Sequence, residues 1–290
     1  MDRKKAVAAV AAGAAIAGAA AVSRKMKQEE YQEGETVLIT GASGGIGYAL
    51  AEEFASHKFN LVLTARNEEK LNHIREDFET RYGVSVTVVP TDLSVPGNAQ
   101  KLYHAVKEKG IRVDQLVNNA GAGKAGRVVD ADPEVMEGLI NLNVTSVTML
   151  CRLFGADMAE RGHGRIMNVS SLGGFIPDPY FNVYGPTKAY ELFLTEAMSG
   201  ELQKSGVTVS ALCPGPTKTN WANNAGKADS STALTPETVA KYGYEGMQEG
   251  RLVIYPGSRF RAEKILLGLF PAKVQTAFIA KWQKKLIEEV

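Results

Sequence analysis

The stretch Thr36-Val37-Leu38-Ile39-Thr40-Gly41-Ala42-Ser43-Gly44-Gly45-Ile46-Gly47 decides the fold. Its first five residues form an unbroken apolar run, the mark of a strand covered on both faces. From Ile46 to about His57 the apolar spacing becomes helical. Between the two lie glycines, which tolerate positive φ and let a backbone approach a pyrophosphate. The amides of the following helix N-terminus would then point at that anion. The spacing is G-x-x-x-G-x-G rather than G-x-G-x-x-G, and no G-K-[ST] follows, which disfavours a P-loop nucleotidase.

The same alternation continues outward. Asn60–Thr64 predicts a second strand, Glu68–Tyr82 a helix and Val84–Val89 a third strand. Further strands are predicted at Gln115–Val117, Arg165–Val169, Val207–Leu212 and Leu252–Ile254. Strands separated by helices build βαβ units, so the expected fold is one doubly wound α/β domain around a parallel sheet, residues 31–290. Thr217 to Thr235, rich in Asn, Ala, Ser and Thr, reads as a loop or short helices.

Composition removes several functional classes. The chain has 290 residues, 44% hydrophobic and 22% charged, which is an ordinary globular balance. Thirty-three basic against 32 acidic residues leave a net charge of +1, which argues against nucleic-acid binding by global charge. Two cysteines, Cys151 and Cys213, make neither a disulfide framework nor a Cys-rich zinc site, and the four histidines form no ligand pair.

Two positions speak to a nucleotide ligand and its type. The second strand ends Thr64-Ala65-Arg66, without the carboxylate that would accept a ribose 2′-hydroxyl. A guanidinium there suits a 2′-phosphate, with Ser43 placed to donate a second hydrogen bond. The alternative is that Arg66 only caps a solvated helix start. Tyr184-Gly-Pro-Thr-Lys188 sets a phenol and an ammonium one helical turn apart. A neighbouring cation lowers a phenol toward the range useful for proton transfer. Pro186 fits only a first helical turn, which puts Tyr184 at the mouth of that helix. Read alone, this spacing arises by chance in many helices.

It is accompanied by Asn118-Asn119-Ala120-Gly121, by Asn143, by Asn168-Val169-Ser170-Ser171 and by Pro214-Gly215. In this order and spacing, over roughly residues 35 to 220, the chain resembles the short-chain dehydrogenase/reductase family. More narrowly it is similar to the group with a T-G-x-x-x-G-x-G turn and an Asn-Ser-Tyr-Lys tetrad. The resemblance implies a Rossmann-type fold and a tetrad of Asn143, Ser171, Tyr184 and Lys188. It implies that Tyr184 exchanges the proton with the substrate oxygen and that Lys188 binds the nicotinamide ribose and depresses the tyrosine. Ser171 would hydrogen-bond the substrate oxygen, with Ser170 serving the strand end, and Asn143 would hold a relay water. Gly41, Ser43, Gly45, Ile46, Gly47, Arg66, Asp92, Asn118, Gly121, Pro214 and Thr219 would contact the cofactor, together with Tyr184 and Lys188. Asp92 looks like the adenine contact, and Thr219 resembles the residue at the nicotinamide side.

The expected function is therefore NADP(H)-dependent interconversion of a ketone and a secondary alcohol, a small-molecule substrate with no nucleic-acid partner. A homo-oligomer is expected. Phe175, Tyr180, Phe181 and Trp221 line an apolar mouth for a steroid or fatty-acyl group, or else pack in the core or at a dimer contact. Hydroxysteroid and 3-oxoacyl substrates are not separated. The rival class is a catalytically silent NADP(H)-binding regulator or membrane scaffold.

Both ends of the chain raise the question of a membrane. Ala6 to Val22 is uncharged, with three basic residues on each flank, so the positive-inside rule gives no orientation. As a helix it would span about 25 Å, the short limit for a bilayer core. A membrane anchor, a cleaved signal peptide and a surface helix are its three readings. In the tail, Val274, Phe278, Trp282 and Leu286 recur at spacing four among lysines. That stripe either lies on an anionic membrane or packs on the domain. The catalytic domain is expected on the cytoplasmic side. Deleting residues 1–30 should leave folding and cofactor binding intact, while fractionation shifts the protein from the membrane pellet to the soluble pool. Wild-type protein that is wholly soluble at physiological salt would remove the anchor.

Overall fold

In the computed structural model, residues 34–228, 230–258, 262, 266 and 268–288 are described. The N-terminal segment 1–30, with its anchor expectation, lies outside them. Seven strands form one parallel sheet: β1 (Thr36–Thr40), β2 (Asn60–Thr64), β3 (Val86–Val88), β4 (Gln115–Asn118), β5 (Gly164–Val169), β6 (Val207–Leu212) and β7 (Val253–Ile254). Their order is β3-β2-β1-β4-β5-β6-β7. Each predicted strand is present to within two residues of its expected bounds. The register pairs Ile39 with Leu63 on one side of β1 and with Val117 on the other.

The central strands are apolar on both faces because both are covered. Val37, Leu38, Ile39, Val62, Leu63, Leu116 and Val117 are fully buried. On one face, α3 (Asn98–Glu108) and α5 (Ser146–Arg161) contribute Leu102, Val106, Leu150, Phe154 and Met158 to a core with Leu38, Val62, Leu116 and Ile166. Across the sheet, α1 (Gly45–Ser56) packs beside α8 (Pro236–Gln248). Helix α2 (Glu68–Tyr82) begins at Asn67, whose side chain accepts from the Lys70 amide, and ends on Gly83 in the left-handed region. The cap at that start is thus Asn67 and not Arg66.

Helix α4 (Pro133–Ile140) runs into α5 through a π turn at Asn141–Thr145. Among the described residues, Pro133–Arg161 is the helix long and apolar enough to cross a membrane. Its apolar residues Leu150, Phe154 and Met158 are committed to the domain core instead. Further helices among the described residues are α6 (Tyr184–Leu202), the short α7 (Trp221–Ala225) within the stretch read as a loop or short helices, and α9 (Ala272–Glu288). Helix α9 buries Ile279, Gln283 and Leu286 and leaves Val274 and Phe278 exposed. The packed face is therefore rotated from the predicted stripe and shares only Leu286 with it.

Strand order reverses between β1 and β4, and their carboxyl ends open the crevice where doubly wound folds bind ligands. There the Gly41 and Ala42 amides donate to the Thr64 carbonyl at 2.8 and 3.3 Å, tying the turn to β2. Gly41 has φ +69°, and a Cβ on it would lie 2.9 Å from Ala120 Cα. A Cβ on Gly47 would lie 2.2 Å from the Gly41 carbonyl oxygen. We predict that Gly47→Ala destabilises the protein by about 3 kcal/mol, the upper end for overpacking. The gain in helix propensity is only about 1 kcal/mol. A urea unfolding midpoint that rises would contradict this.

Candidate active site

The glycine turn is held from behind by the segment after β4. The buried Thr40 hydroxyl accepts from the Asn119 and Ala120 amides, both at 2.9 Å. In return, Asn119 Nδ2 donates to the Thr40 carbonyl at 2.9 Å. Sequence reasoning passed over Asn119 and assigned Asn118 to the groove. The Asn118 side chain is turned inward: its Nδ2 donates to Asn168 Oδ1 at 2.9 Å and contacts Cys151 Sγ at 3.3 Å. Asn168 donates to Thr195 Oγ1 at 2.9 Å, and Thr195 donates to the Glu191 carbonyl at 2.7 Å. This buried ladder ties the ends of β4 and β5 to α6. Its signal in the sequence was the polar pair Asn118 and Asn168 at the ends of the apolar runs Leu116-Val117 and Ile166-Met167.

No side chain caps the N-terminus of α1 at Gly44. Thr219 comes from far along the chain to face the same turn: a Cβ on Gly45 would lie 3.2 Å from its Cγ2. Ser43 and Ile46 are half-buried beside it. At the other end of the crevice, Arg66 is exposed just past β2. Asp92, past β3, accepts from the Ser94 amide at 3.0 Å and hydroxyl at 2.6 Å. Burial alone would raise the Asp92 carboxyl, but these bonds and the charge of Arg66 hold it below its ordinary value.

Three elements bring the tetrad residues together. The π turn carries Asn143, fully buried, whose Oδ1 accepts from the Ala122 amide at 3.1 Å. Its Nδ2 donates to the Ala122 carbonyl at 2.8 Å and to Thr187 Oγ1 at 3.0 Å. π turns often mark functional sites. Ser171 follows β5 and accepts from the Gly173 amide at 3.1 Å, and it is close enough to the Tyr184 phenol to draw it down. Ser170 is spent elsewhere, donating to the Lys188 carbonyl at 2.7 Å. The Leu172 amide donates to the Pro214 carbonyl at 3.0 Å, so the loop after β6 borders the same site. Tyr184 opens α6 and Lys188 lies one turn on, its Nζ 5.8 Å from the phenol ring centroid. A Cβ on Gly121 would sit 3.1 Å from Lys188 Nζ and 3.5 Å from Asn143 Oδ1, so the glycine lies close against both side chains.

The electrostatics depart from the sequence expectation. Burial pushes the Tyr184 phenol above its ordinary value; Ser171 pulls it down, while Glu191, Asp178 and Cys213 push it further up. Lys188 is itself engaged by Glu191, a residue to which sequence reasoning gave no role. Around Tyr184 stand Trp221, with ring centroids 4.8 Å apart, and Phe181 at 5.1 Å. Phe181 is fully buried and belongs to the packing, whereas Trp221 is half-buried and donates from Nε1 to the Gly121 carbonyl at 3.2 Å. Phe175 stacks on Tyr255 at 5.7 Å, and Tyr180 lies under the Lys284 ammonium at 5.0 Å.

A glycine cradle at the switch point of a parallel sheet, facing a Ser–Tyr–Lys cluster, defines a dinucleotide-dependent oxidoreductase. The family model for short chain dehydrogenase matches residues 35–230, and the chain belongs to that family. It is 33% identical over 233 residues to a 7beta-hydroxysteroid dehydrogenase of Collinsella aerofaciens, covering 78% of this chain and 87% of the relative. A short-chain dehydrogenase from Sphingobium yanoikuyae, solved in complex with NADPH, superposes with a TM-score of 0.74 at 33% identity, over 81% of this chain and 94% of that one. A family member from Burkholderia phymatum, solved with NAD, gives 0.74 at 26% identity over 82% and 94%. The chain is an oxidoreductase of the ketone/alcohol class with a nicotinamide cofactor.

Proposed function

We propose that the protein is an NADP(H)-dependent reductase of bulky, lipophilic ketones, and the observation that carries the chemistry is the junction of Ser171, Tyr184, Lys188 and Asn143. The residues present fit the cofactor, because the cradle tolerates no Cβ at Gly41 or Gly47 and the α1 N-terminus has no side-chain cap. Gly41, Ser43, Gly45, Ile46 and Gly47 would hold its pyrophosphate, Asp92 the adenine end, and Thr219 with Pro214 the nicotinamide end. When bound, the nicotinamide supplies the hydride.

The chain's own residues do the rest. Ser171 donates a hydrogen bond to the substrate carbonyl oxygen, which stabilises the negative charge that develops there. The Tyr184 hydroxyl transfers its proton to that oxygen, leaving a secondary alcohol and a phenolate to be reprotonated. Lys188 and Asn143, which both border Gly121, would form the inward end of a proton path behind the phenol. Arg66 supports NADP(H): it is exposed just past β2, that strand does not end in an acid, and Asn67 does the capping. Trp221 and Tyr184 present aromatic faces, which suits an apolar substrate; the Collinsella relative's name, a hydroxysteroid dehydrogenase, favours a fused-ring one. The domain works on the cytoplasmic side, where NADPH is made, with residues 6–22 held at a membrane.

A panel of ketones followed at the NADPH absorbance band tests the reading. Tyr184→Phe should lower kcat by about 100-fold or more, the reach of general acid catalysis, with NADPH affinity nearly unchanged. Tight NADPH binding by a wild type that turns over no ketone would favour the silent regulator. For cofactor choice, Arg66→Ala should weaken NADPH by roughly tenfold to a hundredfold, from the loss of about 1.5–3 kcal/mol in a charged hydrogen bond, and leave NADH almost unaffected. Equal losses for the two cofactors would assign Arg66 a structural part and end the case for NADP(H).

A further inference from the structure

Lys188 is fully occupied in this structure. Its ammonium has three N–H donors, and three acceptors meet it: Glu191 Oε1 at 2.8 Å, Glu191 Oε2 at 3.0 Å and the Val169 carbonyl at 2.8 Å. Glu191 lies three residues on along α6 and is 1% exposed, so this is an ion pair shielded from solvent and salt. Lys188 and Glu191 stand at i and i+3, a spacing that is worth little on an exposed helix surface; here both side chains are buried.

We propose that Glu191 is a positioning residue that neutralises Lys188 and so keeps Tyr184 a proton donor up to alkaline pH. The inference rests on the reading of Tyr184 as the catalytic acid. A lone cation near the phenol would stabilise phenolate and let Tyr184 accept a proton near neutrality. With a carboxylate bonded to that cation through both oxygens, little net charge is left to act on the phenol. Burial pushes the Glu191 carboxyl up to about 7, against the pull of Lys188, so above neutral pH the carboxylate is charged and the pair is balanced. The other ionisable groups facing this cluster do not replace the missing cation. Asp178 from the loop before α6, Cys213 after β6, Cys151 of α5 and Glu196 of α6 are acids. Lys227 lies over the Phe181 ring at 4.3 Å and acts on Asp178. The arrangement has a second consequence: Lys188 must release one of its three acceptors before it can donate to a ribose hydroxyl.

The full-length wild type, Glu191→Gln and Glu191→Asp test this in two ways. In NADP+-dependent oxidation of a secondary alcohol that the wild type accepts, the acidic limb of the kcat/KM profile reports loss of the Tyr184 proton. Glu191→Gln should move that limb about 1–3 pH units lower, the usual effect of an opposite charge within a few ångströms. Glu191→Asp, which keeps the charge on a shorter stem, should move it less and in the same direction. A limb that stays in place in both variants while kcat falls would mean that Glu191 serves only folding, and would overturn the proposal. The second readout needs no turnover. In protein labelled with 13C-tyrosine, the Tyr184 signal, assigned by its loss in Tyr184→Phe, should titrate at lower pH in Glu191→Gln than in the wild type. Titration at the same pH, or in neither protein, overturns the proposal. If the wild type oxidises and reduces nothing, the enzymatic reading fails and the NMR titration alone judges the Glu191 contact. Should Glu191→Gln fail to fold with Lys188 left unpaired, the direction of the Glu191→Asp shift decides.

Discussion

The site depends on a close approach of two backbones at the switch point of the sheet. The turn after β1 and the start of α1 come so near each other, and so near the segment after β4, that Gly41 and Gly47 have no room for a Cβ. What holds them there is the exchange between Thr40 and the Asn119–Ala120 segment, in which three hydrogen bonds of 2.9 Å join the ends of β1 and β4. Because Thr40 is buried, those bonds do not compete with water, and loss of any partner would strand a polar group inside the protein. The cradle, its distance from the tetrad and the opening of the crevice all follow from this contact.

A second buried polar system carries the catalytic helix. Asn118, Asn168, Thr195 and the Glu191 backbone form a chain from β4 through β5 to α6, and Ser170 adds a bond to the Lys188 carbonyl. Helix α6 is thus referenced to the strand ends by directional bonds and not by apolar packing alone. That suits a site whose phenol, hydroxyl and ammonium must keep fixed distances. The same helix supplies Tyr184, Lys188 and the counter-charge Glu191, so the spacing of all three is set by one rigid element.

The strands, their parallel arrangement and the Tyr184–Lys188 pairing on one helical turn were legible in the chain itself. Apolar runs broken by glycines are local signals, and Tyr184 and Lys188 lie one turn apart in any helix that contains them. Asn143, Ser171 and Thr219 could be picked out through the family resemblance, since nothing local in the sequence marks them. The roles of Asn118 and Asn119 could not be told apart, because successive residues at a strand end differ only in which way they point, and that is decided by the neighbouring strand. Which face of α9 packs on the domain was not legible for a related reason. Two helical faces carry apolar residues, and the domain surface selected the one with Ile279 and Gln283 over the one with Val274 and Phe278.

What the sequence determined by itself, then, is a parallel α/β sheet, a glycine cradle after its first strand and a phenol–ammonium pair on one helical turn, because each is written in residues close together in the chain. Only the tertiary structure decided that Arg66 is free of the helix cap, that Thr219 stands over Gly45, and that Glu191 neutralises Lys188 out of reach of water. These are matters of burial and of distances between remote segments, and a charge or a hydroxyl has no fixed meaning until the packing around it sets the local dielectric and the partners within reach.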